Sequence, residues 1–404
     1  MTHAGSLSFS KTLKETFAAY AFDLGGLLAG FIVAYQLDLF HKAPWAIALY
    51  PAVLGAKGII QGLLSGRLST ALHLGTIHPR FSNNTKSFYK LIQAVIVLTL
   101  ATSVAMSALS IVFGELFWGI TFTDFPAILA VVVATMTLGL ALLAVTAKVA
   151  FFTFKKGLDP DIIVYPVMST VASIFITFCY VVVLTLFFNF QTYGVAIVAA
   201  LGVVQTLLVL YVLPKNLHDA EFVKTIRESL AALMTVAIIV NLTGTLLKGI
   251  DRYASRNIAF YTVYPALIGL VSNVGSVIGS TATTKLALGM LKPKLSSIRN
   301  HAKSILSAWI ASLVMFVILG FAALLIHGIF TPAAFYSHLA VLLVANVIAV
   351  PLIVILSFAI SILTFQKGLD PGNFVIPIEN SFAASITSVA LLTSLALLTL
   401  GSVI

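Results

Sequence analysis

Thr153-Phe154-Lys155-Lys156-Gly157-Leu158-Asp159-Pro160 returns later in the chain as Thr364-Phe365-Gln366-Lys367-Gly368-Leu369-Asp370-Pro371, identical in seven of eight columns. Each copy follows a long apolar run, precedes another, and is followed six residues on by a second proline, Pro166 or Pro377. Proline suits the first turn of a helix, and an aspartate there sets its carboxylate beside free N–H groups. A carboxylate at the border of an apolar helix is also a natural first contact for a cation. A helix start alone would not require the same eight residues twice.

The duplication extends outward from this stretch. Lys14-Glu15-Thr16 pairs with Arg227-Glu228-Ser229, Tyr50-Pro51-Ala52 with Tyr264-Pro265-Ala266, and Leu72-His73-Leu74-Gly75 with Leu286-Ala287-Leu288-Gly289. The offset stays between 211 and 214, so the copies are nearly free of insertions.

Composition sets the class. The chain is 60% hydrophobic and 9% charged, with mean hydropathy +1.09; soluble chains carry about 25% charged residues. An all-α polytopic membrane protein is expected, with the lipid bilayer as its first partner. Met1–Ser10 has no cleavable signal pattern, so the first span should stay as a helix. Eleven spans are expected near 17–37, 45–65, 89–113, 126–150, 162–188, 194–213, 229–249, 258–280, 304–327, 338–363 and 374–399. With the N-terminus in the cytoplasm, the inner loops hold Lys11, Lys14, Arg67, Arg80, Lys86, Lys90, Lys155, Lys156, Lys215, Lys224, Arg227, Lys292, Lys294, Arg299, Lys303 and Lys367. The outer loops hold only Lys42, Lys248, Arg252 and Arg256. That asymmetry predicts a cell-membrane protein with its N-terminus inside and its C-terminus outside. The net charge of +10 is explained by these loops and implies no nucleic acid.

Each copy holds five spans, an odd number, and direct fusion would invert the second. The run at 194–213 has no counterpart, and as a sixth, linking span it restores a parallel orientation. The expected units are a first five-helix repeat over 1–190, a linking helix and loop over 191–222, and a second repeat over 223–404. The halves should be related by a pseudo-two-fold along the membrane normal. A monomer would then act as a pseudo-dimer, with its path on the axis.

Ionisable groups at membrane depth are functional candidates by default. Asp23 lies in the first span, Lys57 in the second and Glu379 in the last, while Asp159, Asp161 and Asp370 lie at inner mouths. Asn241, Asn273, Asn346, Asn373 and Asn380 add amides. Oxygen and amide donors suit hard cations such as Mg²⁺, Ca²⁺ or Na⁺. The run Gly55-Ala56-Lys57-Gly58 to Gly66, matched by Gly269, Ser272, Gly275, Ser276 and Gly279, allows close helix packing or bare carbonyls facing a path. Lys57 reads as a partner for Asp23 or Glu379, as a built-in positive charge in place of a bound cation, or equally as a lysine reaching toward the interface. His73 and His78, five apart at a loop entrance, read as a solvated loop in preference to a metal pair. The lone Cys179 leaves no disulfide or cysteine cluster. No HExxH, phosphate-binding glycine loop or nucleophile elbow occurs, so neither an enzyme nor a cofactor is expected.

Pro51-Ala52 through Lys57-Gly58, then Arg67-Leu68-Ser69-Thr70, then Gly157-Leu158-Asp159-Pro160-Asp161, resemble the MgtE magnesium channels and the related solute carrier family 41. Glu15 and Glu228 fit as well. The resemblance covers nearly the whole chain, in the tandem form without CBS domains. It implies transport of a divalent cation, Mg²⁺ first, between the halves. Membrane depth and the resemblance together give an expected metal-binding set of Asp159, Asp161, Asp370, Asn373, Glu379, Asn380, Asp23 and Asn273. Fourteen residues on from Asp159 and Asp370, where the family has a pore aspartate, this chain has Ser173 and Ala384. Glu379 is the acid that would replace it; its counterpart in the first half is Met168. The alternatives are a Na⁺-coupled or other cation carrier, and a non-transporting scaffold.

Overall fold

The computed structural model describes residues 9–40, 42–117, 119–231, 239, 258–371 and 374–401. Its helices are α1 (Phe9–Ala21), α2 (Gly26–Tyr35), α3 (Leu37–Phe40), α4 (Pro44–His73), α5 (Lys86–Phe117), α6 (Phe125–Gly139), α7 (Ala141–Lys155), α8 (Pro160–Asn189) and α9 (Gln191–Asn216). They continue with α10 (residues 220–231), α11 (Ile258–Ala287), α12 (Ala302–Ile326), α13 (Pro332–Gln366) and α14 (Val375–Gly401). Among the described residues, eight helical segments are long and apolar enough to cross a membrane. Together with their apolar composition they make this a multi-pass membrane protein. α4 is as long as these but carries Lys57, Gln61, Ser65, Arg67 and Ser69. Most of the expected span 229–249, with Asn241, lies outside the described residues.

Local signals account for the boundaries. The duplicated stretch ends a helix and begins the next in the same way in both copies. Gly157 and Gly368 both sit at φ +69°, a left-handed position that a residue with a Cβ resists. Behind each, an amide closes the turn: Leu158 N donates to Thr153 O at 3.2 Å and Leu369 N to Thr364 O at 3.0 Å. Asp159 then caps α8, accepting from Asp161 N at 2.9 Å. In α5 the hydroxyls of Thr99, Thr102, Ser103 and Ser107 donate to carbonyls one turn back. Hydroxyls satisfied inside their own helix can lie in an apolar layer without an outside partner.

Two expected spans are broken. The first divides into α1 and α2 around a 3₁₀ turn, Phe22–Gly25, which contains Asp23. The fourth bends at Leu140 between α6 and α7.

The apolar core falls into two large clusters, one per half, and the first helix of each half crosses into the other. Ala19 and Tyr20 of α1 are buried among side chains of α11 to α14. Ile226 of α10 packs against the cluster built from α4 to α8. This exchange ties the halves together along a seam of α2, α4, α8, α11 and α14. α11 is the central element, 72% of its apolar window being buried, whereas α9 is 17% buried and presents apolar side chains outward.

Candidate cation path

At the seam the polar residues of α11 face α8, α14 and the 3₁₀ turn. The break in the first helix carries Asp23 to α11, and the side chain is 3% exposed. Its Oδ1 accepts from Asn273 Nδ2 at 2.7 Å and from Thr170 Oγ1 at 3.1 Å, and Oδ2 lies 2.9 Å from the same amide nitrogen. A carboxylate only accepts, so the Asn273 amide turns its nitrogen inward. Asn273 Oδ1 is left buried without a hydrogen-bond partner among the described residues.

Glu379 sits one turn along the same helix face, since Ser276 lies three residues after Asn273. It is fully buried. Its Oε2 accepts from Ser276 Oγ at 2.6 Å, and Oε1 has no partner among the described residues. Gly275 makes the approach possible: a Cβ there would stand 2.7 Å from Cγ, Cδ and Oε1 of Glu379. The neighbouring Asn380 accepts from Ser272 Oγ at 2.9 Å, and Tyr165 OH lies 3.3 Å from the same hydroxyl. Gly279 serves packing instead, with its carbonyl accepting from Ser361 Oγ at 3.2 Å.

Lys57 is buried at the same seam but pairs with neither acid directly. Its Nζ donates to Ser169 O at 2.8 Å and to Ser173 Oγ. The lysine nitrogen therefore rests on the serine that stands where the resemblance places a pore aspartate.

The two Asp-Pro turns share one backbone conformation and differ in charge. In the first, His73 Nε2 lies 3.4 Å from Asp159 Oδ1 and 3.9 Å from Asp161 Oδ2. Asp161 also accepts from Ser280 Oγ at 2.9 Å. In the second, Arg67 Nη2 is 3.0 Å from Asp370, while its Nη1 donates to Thr225 of α10. Asp370 N also donates to Glu228 Oε2 at 3.2 Å. The structure thus brings Asp159 and Asp161 together and places Asp370 on a guanidinium. Asn373 lies outside the described residues, and Asn346 is bound to Trp309 and Ser312 at 3.0 Å each.

His73 was expected in a solvated loop, but α4 continues as far as this residue and turns it toward α8. The available signal was asymmetry: His73 and Arg67 have Ala287 and Thr281 as their counterparts on α11, so neither cation belongs to the repeat.

No curated protein matches the chain significantly. The crystal structure of a eukaryotic MATE transporter, AtDTX14, is similar at 12% identity and a TM-score of 0.43, over 97% of this chain and 95% of that one. At that score the likeness bears on neither fold nor function. A family model described as a divalent cation transporter, MgtE, matches residues 50–183 and again 264–394. Those segments lie one in each copy of the repeat, make up more than half of the chain and hold His73, Asp159, Asp161, Asn273, Asp370 and Glu379 but not Asp23; the chain belongs to the MgtE family of divalent cation transporters.

Proposed function

We propose that this protein carries Mg²⁺ across the membrane along the seam between its halves, past the inner mouth and then Asn273 and Glu379. Cation transport follows from the family. The observation that carries the path is the pair of buried, unpartnered oxygens, Asn273 Oδ1 on α11 and Glu379 Oε1, which α14 sets against Gly275 of the same α11 face. Leaving a buried acceptor unmade costs about 1–3 kcal/mol, so two on one face favour a ligand that supplies the missing contact. Mg²⁺ sheds water reluctantly and keeps several waters when bound. One carboxylate with neighbouring amide and hydroxyl oxygens suits such an ion better than a dry cage would.

The architecture we propose has eleven spans, the N-terminus in the cytoplasm, and repeats over 1–190 and 223–404 joined by 191–222, working as a single chain. The helix bounds support it: Pro44–His73 and Ile258–Ala287 lie 214 residues apart at both ends. Equivalent bonds support it too, with Tyr50 OH 2.8 Å from Thr177 Oγ1 and Tyr264 OH 2.6 Å from Ser388 Oγ. One observation favours a second reading, a Na⁺-coupled carrier: the deep path offers one unpaired carboxylate rather than a facing pair. Uptake into proteoliposomes separates the two. Mg²⁺ entry without a Na⁺ gradient, above Ca²⁺ and Na⁺, is the expected result; entry only with a Na⁺ gradient selects the carrier, and no cation uptake rejects both.

A further inference from the structure

The first mouth holds donors that the second lacks. His73 Nε2, Asp159 Oδ1 and a carboxylate oxygen of Asp161 all lie within 4.8 Å of one another. Asp161 is 2% exposed, while His73 and Asp159 keep side-chain exposures of 28% and 13%, so the group is reached from the loop side. His73 Nε2 is buried and makes no hydrogen bond among the described residues. No lysine or arginine lies within 4 Å of either carboxylate among the described residues; Lys285 acts on both from farther away. The corresponding second-half residues are Ala287, Asp370 and Gly372, and Asp370 is already taken by Arg67. One imidazole and two carboxylates therefore converge in one half only.

We propose that His73, Asp159 and Asp161 bind one first-row transition divalent cation, of the Mn²⁺ or Co²⁺ kind, in preference to Mg²⁺. The ligand chemistry sets that preference. Two carboxylates alone would suit Mg²⁺ and Mn²⁺ alike, but an imidazole nitrogen adds affinity for the transition ions and little for Mg²⁺. Three protein donors leave the other octahedral positions to water. Donor atoms 3.4 and 3.9 Å apart need only a small contraction to share an ion at about 2.1–2.2 Å from each. Ser280, bound to the other oxygen of Asp161, holds that carboxylate in place, as partners behind a metal ligand do. A metal here would tie the end of α4 to the start of α8. The site lies at the mouth of the proposed path, but its occupancy is read by binding and not by uptake, so the two readings can fail separately.

The test is a Co²⁺ titration of the full-length protein in detergent, with a purification tag free of histidine, followed by visible d–d absorption and with Mg²⁺ as competitor. Wild type is expected to bind Co²⁺ and to need about tenfold or more excess Mg²⁺ to release it. His73→Ala, which installs the second-half residue, should weaken Co²⁺ about tenfold or more. His73→Gln keeps the size and a polar end, and should show the same loss if the alanine variant does not fold. Unchanged Co²⁺ affinity in a folded His73 variant would overturn the site, as would displacement by equimolar Mg²⁺. Neither result touches Mg²⁺ uptake, which is read separately.

Discussion

Asp23 and Glu379 are both carboxylates buried at the seam, and both lean on the same face of α11, one turn apart. Their surroundings are not alike. Asp23 takes an amide and a hydroxyl on Oδ1 and touches the amide again with Oδ2. Glu379 has Ser276 on one oxygen and no hydrogen-bond partner among the described residues on the other. A buried acid with its donors supplied is a structural tie. One with a bare oxygen carries a cost that a bound cation relieves. Under the proposed path, Asp23 then belongs mainly to the architecture and Glu379 to the cargo.

That division can be broken in graded steps. Asp23→Asn should have the largest effect on stability, about 1–3 kcal/mol, because it brings a donor to a place where two donors already point. A clear fall in the melting temperature of the detergent-solubilised protein is expected; an unchanged melt would mean that Asp23 ties nothing. Gly275→Ala comes next. It removes no charged or polar group, yet its Cβ would stand 2.7 Å from Glu379, and forcing a group into a packed site costs about 1–3 kcal/mol. Mg²⁺ uptake should fall as the carboxylate is pushed aside, and normal uptake would show that its position is immaterial. Gly269→Ala is the matched control. Its Cβ would meet Asp23 Oδ1 at 3.7 Å, an ordinary contact, so uptake should hold and the melt should hold or rise slightly, since alanine favours helix by about 1 kcal/mol. A loss as large as that of Gly275→Ala would mean that both glycines serve general packing.

The smallest effect lies away from the seam. Lys90 pairs with Asp219 beyond the end of α9 and holds that carboxyl below its usual range. Exposed pairs contribute little, so Asp219→Asn should leave uptake close to wild type. A marked loss would extend the path to this surface.

Much of this was legible in the residues. The membrane class and the duplication are carried by composition and by columns that agree at a steady offset, and helix ends at Gly157 and Gly368 follow from local backbone chemistry. Glu379 stood out as the one acid well inside the last span. Its bare oxygen was not legible, because that depends on which hydroxyls of α11 happen to face it. Gly275 read as one of a run of small residues; only the packed helices distinguish its role, room for a carboxylate, from that of Gly279, room for a neighbouring helix. The exchange of α1 and α10 between halves and the reach of Arg67 to Asp370 join residues far apart in the chain, and no local periodicity records such a contact. The mouth was expected to gather three aspartates, but Arg67 and His73 on the single helix α4 divide them.

The most direct test is Mg²⁺ uptake by proteoliposomes containing Glu379→Gln, against wild type at matched reconstitution. Glutamine keeps the shape of the side chain and its bond to Ser276 while removing the charge. The account predicts uptake lowered several-fold, an altered order of preference among Mg²⁺, Mn²⁺, Ca²⁺ and Na⁺, and a melt close to wild type. Wild-type uptake with wild-type preference, in a variant that is expressed and folded normally, would contradict it and move the selective step from the seam to the inner mouth.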